Sequence, residues 1–170
     1  MKHQAAIRGF TLLEVLVVVA IMGMLTISMF PSIMNSLETR NLDNQARDIQ
    51  TTLEQARYRA VNDKIHYRVR FGLVSGEWRI FLENQDAAGV WNRVDGFLTK
   101  AISRRFVVTL SLPTSQAVEF TPLGIVEGYD STHNSLTLQS LRLKAKRQPD
   151  LRILRIFGGG TVSYVRSTSG

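Results

Sequence analysis

The sequence predicts an α+β chain: one long N-terminal helix packed on an antiparallel β domain. Three observations point there. Residues 10–30 form an apolar run in which Glu14 is the only ionisable residue. Apolar residues then recur at helical spacing to about residue 60. After Asn62 the period drops to two, as in strands.

The first element is the apolar run. A hydrophobic stretch of this length is long enough to cross a bilayer. A short basic segment, residues 1–9 with Lys2 and Arg8, precedes it. Basic charge ahead of a span places the N-terminus on the cytoplasmic side and the C-terminus outside. Glu14 is the anomaly. A carboxylate inside a membrane helix costs roughly 2.5–3.5 kcal/mol, and the run holds no partner for it. The nearest candidate is a free amine, created if the chain is cut between Gly9 and Phe10. An ordinary secretory signal would instead be cut at small residues after the apolar core. Thr26 and Ser28 make a poor site of that kind. A plain signal anchor of a tethered enzyme leaves Gly9, Phe10 and Glu14 unexplained together.

Pro31 ends the apolar run. Inside a helix it removes one backbone hydrogen bond and favours a kink. The helical pattern then resumes. Leu42, Ala46, Ile49, Leu53, Ala56 and Ala60 share one face, and Arg40, Arg47, Asp48, Glu54, Arg57 and Arg59 fill the others. A single helix from Phe10 to about Asn62 follows, roughly 80 Å at 1.5 Å per residue. Its second half is expected to lie against a sheet.

In the β region, Tyr67, Val69 and Phe71 alternate with Arg68 and Arg70. Trp78, Ile80 and Leu82 alternate with Arg79, Phe81 and Glu83. Residues 72–76 supply a turn between these strands, and residues 84–89 a polar loop. Further strands are expected at residues 105–110, 117–120, 135–143, 151–157 and 161–166, about seven in all. The Gly158–Gly160 run reads as a hairpin turn: no Gly-Lys-Ser/Thr follows it and it opens no helix. The domains are therefore 1–9 as leader, 10–30 as membrane helix, and 31–170 as amphipathic helix plus β domain.

Composition narrows the chemistry. At 44% hydrophobic the chain is globular and not disordered. It has no cysteine, so disulfides, thiolate catalysis and Cys-based metal sites are excluded. His66 and His133 lack partners at ligand spacing, and no Gly-x-Ser-x-Gly or carboxylate pair on a recognisable scaffold is present. No enzyme, metal or cofactor is expected. Trp78 and Trp91 read as core or sheet anchors. The net charge is +7, and cleavage after Gly9 would lower it by two.

Lys2, Arg8, Gly9, Phe10, Thr11-Leu12 and Glu14 resemble the processing signal of type IV pilins and pseudopilins. Gly23 and Pro31 extend the likeness. Leu53-x-x-Ala56-Arg57-x-x-Ala60 further resembles the GspH/FimT group of minor pilins and pseudopilins. So do Gly76-Glu77-Trp78, Phe120-x-x-x-Gly124, Thr137-Leu138 and Gly160-Thr161-Val162. The resemblance implies the type IV pilin-like fold. It implies that a prepilin peptidase cuts after Gly9 and methylates the amine of Phe10. It implies that Glu14 neutralises the N-terminal amine of a neighbouring subunit during assembly. The partners it implies are other pilin or pseudopilin subunits, the peptidase and an inner-membrane assembly platform. The location it implies is the bacterial inner membrane, single-pass, with a periplasmic C-terminal domain and a filament after assembly, in a type II secretion pseudopilus or a type IV pilus, at its tip or initiation complex.

The C-terminal region is basic. Arg142, Lys144, Lys146, Arg147, Arg152, Arg155 and Arg166 face one acid, Asp150. A basic stripe captures DNA phosphate without sequence preference. A DNA-binding minor pilin for natural transformation is therefore the alternative function, with Lys144, Lys146, Arg147, Arg152, Arg155 and Arg166 as its contacts. Some FimT-type minor pilins bind DNA through a C-terminal Gly-Arg-x-Arg. This chain reads Gly160-Thr161-Val162-Ser163 at the comparable place. A solvated basic face, or one meeting acidic neighbour subunits, is the competing reading. Arg152 and Arg155 differ in parity, so they point to opposite faces of their strand.

Overall fold

The computed structural model describes residues 10–114, 116–141 and 150–168. Among them are one helix, α1 (Leu12–Asp63), and nine strands. The strands are β1 (Tyr67–Val74), β2 (Glu77–Gln85), β3 (Trp91–Arg93), β4 (Lys100–Ala101), β5 (Phe106–Ser111), β6 (Ala117–Phe120), β7 (Ser135–Ser140), β8 (Asp150–Ile156) and β9 (Val162–Thr168). The chain separates into two units that divide after Leu37.

In the first unit, the side chains of Leu12, Leu13, Leu16, Val19, Met22, Leu25 and Phe30 are all exposed. By length and composition this part of α1 is apolar enough to cross a membrane, with a mean hydropathy of 2.4. Thr26 donates its hydroxyl to the Met22 carbonyl at 2.8 Å. That bond satisfies a polar group which hydrocarbon would not. Pro31 lies inside α1 and does not end it.

In the second unit, Leu42, Ala46, Ile49, Leu53, Ala56 and Ala60 are each fully buried, so the expected core face of α1 is the observed one. The helix stops at Asp63. Lys64 takes a φ of 60°, a left-handed cap that ends the helical ladder. Tyr67 then donates its hydroxyl back to Asp63 at 2.6 Å, fixing where β1 begins.

The strands form two antiparallel sheets, not one. The first has the order β3-β2-β1-β6, with β4 also on β2; the second runs β5-β7-β8-β9. Val69, Phe71, Ile80, Leu82, Val118 and Phe120 of the first share one core with Leu136, Leu138, Leu154 and Ile156 of the second and with α1. The count of seven strands missed β3 and β4. At three and two residues they are too short to show a period. The β1–β2 turn is also tighter than expected. Gly72 stays in β1, paired with Arg79, and the loop is only Ser75-Gly76. Both residues have positive φ, 52° and 74°, which matches the twist of a two-residue hairpin. β2 runs to Gln85, and the polar loop starts at Asp86. The strand expected over 135–143 is described to Ser140, and its last two residues lie outside the described residues.

The outer face of the first sheet is not simply solvated. Arg68 lies opposite both Glu83 and Glu119. Arg68 Nε is 2.6 Å and Arg70 Nη2 2.7 Å from the Glu83 carboxylate. The Arg70 and Arg93 guanidinium groups lie over the Phe81 ring at 4.5 and 4.6 Å, and Arg68 lies over Trp91 at 4.3 Å. This cover explains why Phe81 and Glu83 are buried at outward positions.

Two predictions follow the packing. Ile49→Asp places an unpaired charge in the core and should destabilise a soluble fragment beginning near Leu37 by at least about 3 kcal/mol. Urea unfolding checks this, and an unchanged midpoint would contradict the buried face. The second concerns Glu83. Burial pushes its carboxyl upward, but hydrogen bonds from Arg70 and Arg68 outweigh that and hold it below the ordinary range. The stabilisation is therefore full above the unfolded value of about 4.3 and is lost as pH falls through the lower folded value. The melting-temperature gap between the wild type and Glu83→Gln should be wide at neutral pH and should narrow below about pH 4.

Candidate functional site

The N-terminal site is built by a helix start. Thr11 precedes α1, and its hydroxyl oxygen accepts from the Glu14 N–H at 3.2 Å. Its carbonyl accepts from Glu14 N–H at 3.1 Å and from Val15 N–H at 3.2 Å. Thr11-Leu12-Leu13-Glu14 thus has the Ser/Thr-x-x-Glu spacing of a capping box. The spacing of this cap is legible in the sequence, in the same residues that resemble a processing signal. Glu14 sits in the first turn, where the positive end of the helix dipole favours an anion. Glu14 and Phe10 are both exposed. Gly9 lies outside the described residues.

Three of the motif residues, Arg57, Gly124 and Gly160, scattered in sequence, meet at one junction. Arg57 of α1 donates Nε–H to the Gly124 carbonyl at 3.1 Å. Val126 N–H donates to the Gly158 carbonyl at 2.9 Å, and Gly160 N–H to that of Phe157 at 2.8 Å. Gly124 and Gly160 have φ of 74° and 79°. A Cβ on Gly160 would fall on the Gly124 carbonyl oxygen and lie 2.7 Å from Arg57 Nε. The segment leaving β6 is thereby tied to the β8–β9 turn, and both are tied to α1. This arrangement holds the two sheets and the helix together. It provides no nucleophile.

The expected basic cluster does not act as one surface. Arg152 is fully buried, with Leu154 and Ile156 on the inner face of β8. Its guanidinium hydrogen-bonds to Asp43 of α1 and to Asp150. Burial pushes Arg152 toward neutrality, but Asp150 and Asp43 more than offset it and keep it charged. Tyr164 also donates to Asp43, and Arg47 lies over the Tyr164 ring at 5.4 Å. Arg152 is therefore out of reach of a DNA phosphate, which corrects its place among the contacts. Its inward parity was readable; its carboxylate partner 109 positions away was not. Arg155 is exposed on the opposite face, as parity required. Arg166 is half-exposed, with Nε 3.7 Å from Asp150. Arg142, Lys144, Lys146 and Arg147 lie outside the described residues.

His133 Nδ1 lies 2.6 Å from Asp130 on an exposed loop. Among the described residues, no group of three His, Cys, Asp or Glu is placed to hold a metal ion.

The junction generates a graded prediction. Gly160→Ala should destabilise the protein by about 3 kcal/mol, through backbone strain and a backbone clash together. Gly76→Ala has a similar φ but nothing within 4 Å of its Cβ. It should cost only about 1–2 kcal/mol. Equal losses in thermal unfolding would contradict the close approach.

Residues 5–30 match the prokaryotic N-terminal methylation motif. Residues 45–160, more than half of the chain, match the family described as type II transport protein GspH. No curated protein sequence matches the chain. Among solved structures, the type IV minor pilin FimU of Pseudomonas aeruginosa is similar at 17% identity, with a TM-score of 0.46, over 74% of this chain and 89% of that one. The chain belongs to the GspH/FimT family of type IV pilin-like proteins, as a minor pilin or pseudopilin.

Proposed function

We propose that this pilin-like subunit is built into a filament through the first half of α1, and that Glu14 guides its docking. The reading is supported by one observation above others. The helix from Leu12 to Phe30 exposes apolar side chains all round and carries a single acid. Such a surface needs lipid before assembly and other helices afterwards. In both settings the dielectric is low, and an unpaired carboxylate is costly. A neighbouring subunit's N-terminal amine removes that cost only when the two helices are in register. Glu14 thus acts as a register check.

The amine requires a prepilin peptidase to cut after Gly9 and expose Phe10, which the enzyme then methylates. Before assembly the chain is a single-pass inner-membrane protein with its β domain in the periplasm. An inner-membrane platform then draws it into a type II secretion pseudopilus or a type IV pilus, at the tip or initiation complex. DNA capture is the weaker reading. Arg152 is sequestered, and the remaining described cations, Arg155 and Arg166, do not form a stripe.

Glu14→Val tests the docking role. It should leave membrane insertion intact, because it removes a cost of roughly 2.5–3.5 kcal/mol. It should deplete the protein from sheared filament fractions relative to the membrane pool. Normal incorporation of Glu14→Val would overturn the proposal.

A further inference from the structure

We infer that the free edge of β5 is a binding surface for a second copy of this chain, whose own β5 adds antiparallel about a two-fold axis at Thr109. This inference rests on the β domain and is independent of the role of Glu14.

Among the described residues β5 is bonded on one side only, to β7. Proteins guard such edges with short strands, charges or proline, because an unpaired edge is a template for another chain. The other described edges are guarded. β3 and β4 are three and two residues long. β6 has four residues and carries Glu119, and β9 carries Arg166. β5 reads Phe-Val-Val-Thr-Leu-Ser, with no charge, no proline and no glycine.

The hydrogen-bond phase identifies which groups are free. Leu141 N–H donates to the Arg105 carbonyl at 2.8 Å. Bonding residues alternate in an antiparallel ladder, so Val107, Thr109 and Ser111 serve β7. Val108 and Leu110 turn their N–H and C=O outward. A groove of about 620 Å³ runs along this edge, lined by Trp78, Val108, Leu110, Leu112, Gln116 and His133. Trp78, Val108 and Leu110 are half-buried at the margin of the core, so an added strand would complete their cover.

Charge selects a second copy as the occupant. Arg104 and Arg105 are exposed at the start of β5. At its other end, Ser111 donates to the Thr132 carbonyl at 3.3 Å, and Thr132 N–H to Asp130 at 3.0 Å. Asp130 is half-exposed, and bonds from Thr132 and His133 hold its carboxyl well below the usual range. Antiparallel addition sets the start of one β5 beside the end of the other. It brings Arg105 to the partner's Asp130 twice over. A two-fold at Thr109 pairs Val108 with the partner's Leu110, which uses every free group of this stretch.

The absence of cysteine makes the test clean. At the two-fold, opposed Thr109 residues would form a non-hydrogen-bonded pair with Cα atoms about 4.5 Å apart, within disulfide reach. Thr109→Cys in the full-length protein, in detergent under mild oxidation, should give a discrete disulfide dimer. Ser111→Cys should not, since its counterpart would lie about 14 Å away at about 3.4 Å per residue. A mixture of Val107→Cys and Ser111→Cys chains should cross-link in register. Adding Leu110→Pro to Thr109→Cys should reduce the dimer at least about ten-fold, because it removes an outward N–H that β7 does not use. Thr109→Cys that stays monomeric would overturn the inference and leave the edge to a strand of another protein. Equal cross-linking of Thr109→Cys and Ser111→Cys would overturn it as random collision.

Discussion

A single helix that must satisfy two solvents constrains everything else in this protein. From Leu12 to Phe30 no face of α1 is polar, and its large side chains lie exposed. From Leu42 to Ala60 one face is fully buried and the others are charged or polar. At about 25 cal/mol per Å² of apolar surface, the first half is strongly driven out of water. The helix must therefore be placed in lipid, or among helices like itself. The β domain in turn is organised around the second half, which supplies six core residues to both sheets.

Much of this was legible in the sequence because the relevant signals are long. The period of α1 extends over dozens of residues and placed all six of its core positions correctly. The alternation of Tyr67–Phe71 and Trp78–Leu82 fixed the inward faces of β1 and β2. Short elements carry no such signal, so β3 and β4 were invisible. The split into two sheets was invisible too, because period two gives faces but not neighbours. The tight Ser75-Gly76 turn was misplaced because Gly72 looks like turn material, yet its partner Arg79 keeps it in the ladder.

The site residues divide in the same way. Glu14 was conspicuous as a lone acid in an apolar run. The Thr11 cap was written in its spacing but masked by the louder reading of the same residues. Arg152 illustrates the opposite failure. As part of a basic cluster it looked like surface, while its parity with Leu154 and Ile156 pointed inward. A buried arginine requires carboxylates, and removing one partner of such a pair strands a costly charge. Asp43 and Asp150 meet that requirement from a helix and a strand distant in sequence. Arg57, Gly124 and Gly160 were recognisable only as family letters. In space they are one junction that ties the helix to both sheets.

The central claim is that the apolar half of α1 remains on the mature protein as its working surface. Intact mass and N-terminal sequencing of the protein purified from membranes test this most directly. The account predicts a chain that begins at Phe10, with its amine methylated and the whole apolar run retained. A mature chain that begins after Ser28, with the run removed as an ordinary secretory signal, would contradict it.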